Sequence, residues 1–259
     1  MVRFDRRDGV ATLTLSRPER LNAITDEVVE ELLEILHGLA TDTSVRVVIL
    51  TGEGRAFCSG MDIQATGPES EEGRVQRLYR ALQRAGDVVL ALREIPQPVI
   101  AALHGPVVGM AISLALACDL RVASPTARLV SPFLRLGFSA GDLGLSWLLP
   151  RLVGTAKAAE IFYRAQSLTA AEALDLGLVT MVVEDDLVGA EELAGELLTR
   201  SPFGLRHTKE LLNLSMDAPG LRAHMAIENR TQTMAFLTED LMEGFAATME
   251  KREPHFRNK

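Results

Sequence analysis

The stretch Val45-Arg46-Val47-Val48-Ile49-Leu50-Thr51-Gly52 constrains this chain more than any other, because its β-branched apolar run reads as a buried strand. It ends at glycine and opens, after a polar turn, into Ala56-Phe57-Cys58-Ser59-Gly60-Met61-Asp62-Ile63. Small residues at the end of a strand leave backbone N–H groups bare at the mouth of a sheet. Such groups can bind an oxyanion.

A second segment of the same kind follows. The strand-like Pro98-Val99-Ile100-Ala101-Ala102-Leu103 runs into His104-Gly105-Pro106-Val107-Val108-Gly109-Met110. An apolar helix of small residues, Ala111 to Cys118, comes next, and its N-terminus carries free N–H groups and a partial positive charge. Two strand-to-glycine turns can therefore supply two donors.

The rest of the chain alternates in the same way. Val28, Val29, Leu32, Leu33, Leu36 and Leu39 recur at helical spacing after Thr25 and Asp26, which are good N-cap residues. The composition of residues 64–73 predicts a loop, and Leu78, Leu82, Val89 and Leu92 mark another helix. Short strands at Leu120-Arg121-Val122 and Ala127 to Val130 lead to a glycine-rich loop at residues 137–144. This alternation predicts an α/β fold of repeated strand-strand-helix turns. Beyond Val183 the pattern is helical throughout, which predicts a core over residues 1–195 and a helical appendage over 196–259 for packing and oligomerisation.

At 259 residues with 47% hydrophobic residues, the chain can bury a substantial core. Its formal net charge of −8 and the lack of a long basic run argue against a nucleic-acid surface. Only two cysteines occur, Cys58 and Cys118, and they form no disulfide framework, so a reducing cytoplasmic setting is expected. The charged N-terminal residues run directly into Val10 to Leu15 without a signal peptide, and no apolar stretch is long enough to span a bilayer. No two His or Cys residues stand at metal-ligand spacing, so no metal is expected.

Further motifs accompany the two turns. Arg17-Pro18-Glu19-Arg20-Leu21-Asn22-Ala23 precedes them, and Pro150 to Gly154, Ala170 to Val179, Glu243-Gly244-Phe245 and Glu250-Lys251-Arg252 follow. In this order and spacing the chain resembles the crotonase superfamily, also called the enoyl-CoA hydratase/isomerase family, over nearly its whole length. The resemblance implies a spiral of ββα turns and homotrimers, often paired into hexamers. It also implies a fatty acyl-CoA thioester as substrate, with coenzyme A part of that substrate and no separate cofactor.

The resemblance assigns the backbone N–H groups of Met61 and Met110 as the donors that hold a thioester enolate, with Gly60 and Gly109 allowing close approach. Arg20, Leu21 and Ala23 match a segment that contacts the nucleotide, while Asp62 and Ile63 match residues near the adenine and pantetheine. Lys251, Phe256 and Arg257 match a C-terminal stretch that reaches the nucleotide, sometimes across subunits.

The chain departs from the family at the acid/base positions. Hydratases of the family carry two glutamates, and the matching positions here are Ser113 and Phe133, neither ionisable at pH 7. Aligning backward from Leu149-Pro150 places Asp142 where the isomerases carry a catalytic carboxylate, with a one-residue insertion in the loop. Asp142 could instead be a turn residue or a helix N-cap. One carboxylate suffices to move a proton between carbons, whereas stereospecific hydration usually divides its work between two groups, so isomerisation is the favoured expectation. The alternatives are an acyl-CoA-binding homologue without chemistry and a CoA-thioester hydrolase using His104 with Ser113 and Asp142. No Gly-x-Ser-x-Gly elbow surrounds Ser113, and His104 reads as a structural hydrogen-bonding residue.

Overall fold

A computed structural model describes residues 1–62 and 73–259. The chain begins with an antiparallel hairpin of β1 (Val2–Arg7) and β2 (Val10–Leu15). Its turn residues Asp8 and Gly9 both have positive φ, 49° and 82°, the geometry that Asp-Gly supplies in a two-residue hairpin. After α1 (Asp26–Leu39), β3 (Val47–Gly52) and α2 (Arg74–Glu94) come β4 (Val99–Leu103), β5 (Pro106–Val108) and α3 (Met110–Ala117). Next are β6 (Leu120–Ala123), β7 (Arg128–Val130), α4 (Leu145–Val153), α5 (Thr155–Tyr163), β8 (Ser167–Thr169), α6 (Ala170–Asp175) and β9 (Met181–Val182). Four helices end the chain: α7 (Asp186–Leu198), α8 (Pro202–Ser215), α9 (Leu221–Ala235) and α10 (Glu239–Glu250).

Two sheets organise these elements. The larger runs β1-β2-β3-β4-β6-β9 and is parallel after the first hairpin; the smaller runs β5-β7-β8. Isolated parallel bridges, Ile24 with Met61 and Cys58 with Val107, tie two earlier segments to the line of short strands. Each turn thus takes one strand in the large sheet, one short pairing, and then a helix. The expected spiral of ββα units is the observed fold.

Strand alternation divides the core. Val48, Leu50, Val99, Ala101 and Leu103 face the main cluster, which includes Val28, Leu32 and Leu36 of α1 and Leu92 of α2. Val47, Ile49, Ile100, Ala102 and Val122 face the other way, against Ala190, Leu193 and Ala194 of α7. All six residues of β3 are consequently buried. The strand starts two residues later than its apolar run, because Val45 is buried ahead of the ladder while the Arg46 and Val47 N–H groups both donate to Gly9 O. Helix α1 begins at the expected cap, with the Thr25 hydroxyl accepting from Val28 N, and it buries six apolar side chains worth about 1.5–3 kcal/mol each.

Helix α8 is fastened to the core by polar groups. Lys209 is 5% exposed; its ammonium pairs with Asp119 at 2.9 Å and donates to the carbonyls of Leu92 and Gln97. Asn213 accepts from the Arg93 guanidinium and returns a bond to the Arg93 carbonyl. Beyond α8, Leu221, Met225, Phe236, Leu237, Met242, Phe245 and Met249 are exposed. Among the described residues no helix is long and apolar enough to cross a membrane.

Lys209→Ala would leave Asp119 and two carbonyls without their cation and should destabilise the fold by about 3 kcal/mol in urea denaturation. A loss below about 1 kcal/mol would show that α8 is held mainly by its apolar contacts.

Candidate active site

The two glycine turns are bonded to one another. Phe57 N donates to His104 O at 2.8 Å, Cys58 N to Pro106 O at 3.2 Å, and Val108 N back to Cys58 O at 3.0 Å. Gly60 and Gly109 follow these pairings with φ of 91° and 57°. A Cβ at Gly60 would stand 2.7 Å from Val108 O and 3.8 Å from the Met110 nitrogen, so the backbones lie in direct contact.

Met110 is the first residue of α3, where an N–H group has no acceptor within the helix. Met61 N has no acceptor among the described residues, although Ile24 engages both of its neighbours: Ile24 N donates to Gly60 O and Asp62 N to Ile24 O. The side chains differ, Met110 being buried and Met61 exposed. A main-chain donor tolerates that difference. Helix α3 is buried along its whole length, so the charge at its N-terminus lies in apolar surroundings.

Ser113, Phe133 and Asp142 converge on this helix end. The Phe133 ring lies 3.6 Å from where a Gly109 Cβ would be, directly beside the residue preceding the Met110 donor. Ser113 is fully buried, and its hydroxyl donates to the backbone carbonyl of Asp142 at 3.0 Å. Asp142 is half-buried, and its carboxylate has no hydrogen-bond or ion-pair partner among the described residues. Desolvation raises its pKa above the ordinary carboxylate value. It does not cap α4: the N-cap is Gly144, with φ of 83° and no side-chain cap.

Two N–H groups beside glycine can polarise a carbonyl, and a half-buried carboxylate without a partner among the described residues can move a proton. Residues 5–259 match the profile of the enoyl-CoA hydratase/isomerase family. The chain belongs to that family. A relative from Mycobacterium leprae (strain TN), named probable enoyl-CoA hydratase, is 42% identical over 95% of this chain and 86% of its own. The 1,2-epoxyphenylacetyl-CoA isomerase of Escherichia coli (strain K12) is 37% identical over 97% of this chain and 96% of its own. The crystal structure of an enoyl-CoA hydratase from Bacillus anthracis superposes with a TM-score of 0.93 at 30% identity, covering 100% of this chain and 99% of that one.

The positions that family resemblance linked to coenzyme A fall in two groups. Arg20 is exposed, Leu21 half-buried and Ala23 buried, on a turn that leads to Ile24. The Leu21 carbonyl accepts from Ser59 N at 2.9 Å, which brings this turn against the Met61 segment. Asp62 pairs with Arg17 at 3.2 Å, and Arg17 also donates to Ala23 O. Ile63 and residues 64–72 of the expected loop lie outside the described residues.

Lys251, Phe256 and Arg257 belong to the other group, on the C-terminal helices. Lys251 caps α10 with φ of 53°, and Arg257 N donates to the buried Asp240 carboxylate. Phe256 lines a cavity of about 390 Å³ with Phe203, Leu211 and Phe245. Arg252 joins Glu243 and Glu250, and its hydrogen bond to Glu243 holds that carboxyl down at about 2.

Sequence reasoning passed over the residue that shapes the first group, Asn22. Leu21 and Asn22 both adopt positive φ, 51° and 56°, a conformation unusual outside glycine. Buried Asn22 holds it, accepting from Arg17 N and donating to the carbonyls of Glu53 and Ala56. An asparagine in a turn was the available signal. His104 bonds Asp186 at 2.9 Å, in keeping with a structural role. Cys58 and Cys118 are free, and burial pushes each thiol up to about 12. Among the described residues no cluster of three or more His, Cys, Asp or Glu is placed to hold a metal.

Alanine at the two glycines should have unequal effects. At Gly109 the new Cβ meets only ordinary contacts, leaving the cost to the backbone angles, φ 57° and ψ −119°, which glycine adopts far more readily than alanine. At Gly60 it also strikes a backbone oxygen, so Gly60→Ala should lower the thermal midpoint by more than Gly109→Ala. Equal shifts in melting would contradict the close approach of the two turns.

Proposed function

We propose that this family member acts on a fatty acyl-CoA thioester, with the Met61 and Met110 N–H groups holding the enolate oxygen and Asp142 serving as the acid/base. The observation that carries this reading is the half-buried, unpaired Asp142 carboxylate on a loop hydrogen-bonded to the helix that begins at Met110. A partnered carboxylate would be weakly basic. A desolvated one is a stronger base and can return its proton.

Double-bond isomerisation suits these residues best. In a 3-enoyl-CoA, Asp142 removes a proton from the α-carbon, and the electron pair spreads across the adjacent double bond to the thioester oxygen. The same carboxyl then protonates the γ-carbon, leaving a 2-enoyl-CoA. The two open donors favour the charged intermediate over the ground state. Ser113 and Phe133 supply no second carboxylate to activate water, and the Phe133 ring makes the donor end apolar.

Several finer assignments accompany this reading. Residues 1–195 form the spiral core with the acyl-CoA site, and residues 196–259 form the helical segment for packing and assembly. The exposed apolar side chains of α9 and α10 suit a homotrimer or hexamer. Arg20, Leu21, Ala23, Asp62 and Ile63 line the coenzyme A path, with Lys251, Phe256 and Arg257 at its nucleotide end. Asp62 contributes through its backbone and its pair with Arg17. Two buried, unreactive thiols suit a cytoplasmic setting. A hydrolase is disfavoured because the Ser113 hydroxyl is spent on a carbonyl and His104 on Asp186.

Asp142→Asn should lower 3-enoyl-CoA isomerisation by about a hundred- to ten-thousand-fold while acyl-CoA binding persists. Unchanged turnover would remove Asp142 from the mechanism, and tight binding by a wild type inert toward 3-enoyl- and 2-enoyl-CoA would favour a binding protein.

A pH dependence follows from the raised pKa. The folded chain holds the Asp142 proton more tightly than the unfolded chain, so this contribution to stability is full below the ordinary carboxylate pKa and is lost as pH rises through the folded value. Asp142→Asn should therefore melt higher than wild type at pH 7, with the gap closing in acid, while wild-type kcat/KM falls as pH drops through the same raised pKa. A variant less stable at pH 7 would refute the desolvated carboxylate.

A further inference from the structure

Ser113 stands where family hydratases carry a glutamate, and the hydroxyl has work of another kind. It is fully buried on α3, one turn beyond Met110. A helical serine commonly returns its hydroxyl to a carbonyl of its own preceding turn. Here it crosses to a segment 29 residues away and donates to the Asp142 carbonyl at 3.0 Å.

That carbonyl is a point of leverage. It also accepts from Leu145 N at 2.8 Å, so two donors fix the peptide that follows the Asp142 side chain. Immediately afterwards, Leu143 and Gly144 both take positive φ, 44° and 83°. A left-handed leucine costs about 1–2 kcal/mol and needs surroundings that impose it. The Leu143 side chain reaches toward Gly86 of α2, and the Ser113 bond holds the other end of the turn on α3.

We propose that Ser113 is a positioning residue for Asp142, its hydroxyl registering the carboxylate-bearing turn against the helix whose first N–H group holds the enolate oxygen. The inference rests on Asp142 being the acid/base. Donor and hook share one rigid, buried helix, so a single hydrogen bond sets the base relative to the charge it creates. A buried serine serving only as packing would be replaced by alanine without kinetic effect. A misplacement of about 1 Å can cost a hundredfold in rate.

The test is a double-mutant cycle on 3-enoyl-CoA isomerisation, with melting recorded for each variant. Ser113→Ala should lower kcat about tenfold to a hundredfold with KM within about twofold, since the donors and the coenzyme A path are untouched. Ser113→Cys, which offers a weaker donor, should fall between alanine and wild type. In an Asp142→Asn background the alanine change should alter the residual rate by less than about twofold, because its effect passes through the carboxylate. Unchanged kcat in Ser113→Ala, or an equal drop in both backgrounds, overturns the proposal while leaving Asp142 in place. Full turnover by Asp142→Asn alone overturns the parent reading, and the positioning role with it.

Discussion

The hydrogen bonds between residues 57–58 and residues 104–108 are the constraint on which the site depends. They lock two turns that leave neighbouring strands of one sheet, and they place Gly60 against Val108 and Met110. Their geometry is inherited from β3 and β4, which pair in parallel and are buried on both faces. A sheet covered by α1, α2 and α3 on one side and by α7 on the other resists sliding, because a one-residue slip would exchange the two apolar sets. The rigidity of the donors is therefore a property of the whole core.

Around this frame, the chain invests buried polar groups where backbone geometry must be imposed. Asn22 stabilises two successive left-handed residues, Arg17 ties Asp62 to the same turn, and Ser113 holds the turn at Asp142. Each makes specific bonds in surroundings where an unpaired group would be costly. Asp142 differs from these three, its half-buried carboxylate having no hydrogen-bond or ion-pair partner among the described residues. Groups of this kind concentrate where chemistry is done.

Much of the fold was legible because burial leaves a period in the sequence. The apolar run at Val47 to Leu50 and the spacing from Val28 to Leu39 identify a two-sided strand and a one-faced helix without reference to the rest of the chain. The two glycines were legible as well, since each stands in a small-residue segment that follows a strand pattern. What lay beyond reach was pairwise and distant. Arg17 meets Asp62 at a separation of 45 residues and Ser113 meets Asp142 at 29, and no local propensity encodes either. The position of Asp142 depended on a one-residue insertion in a glycine-rich loop, where side chains offer no periodicity. The nucleotide-end positions were read from resemblance alone, and their charges on exposed termini carry no pattern of burial.

Both open donors, at Met61 and Met110, belong to the main chain, and one of the two side chains points into the core while the other meets solvent. No exchange of side chain deletes a peptide N–H except the introduction of proline. Genetic drift can therefore rewrite the residues at 113, 133 and 142 while the two main-chain N–H groups persist. If those groups hold the enolate as proposed, a lineage carrying this scaffold explores new reactions from an already activated substrate, and what it inherits most securely is an element that codons barely specify.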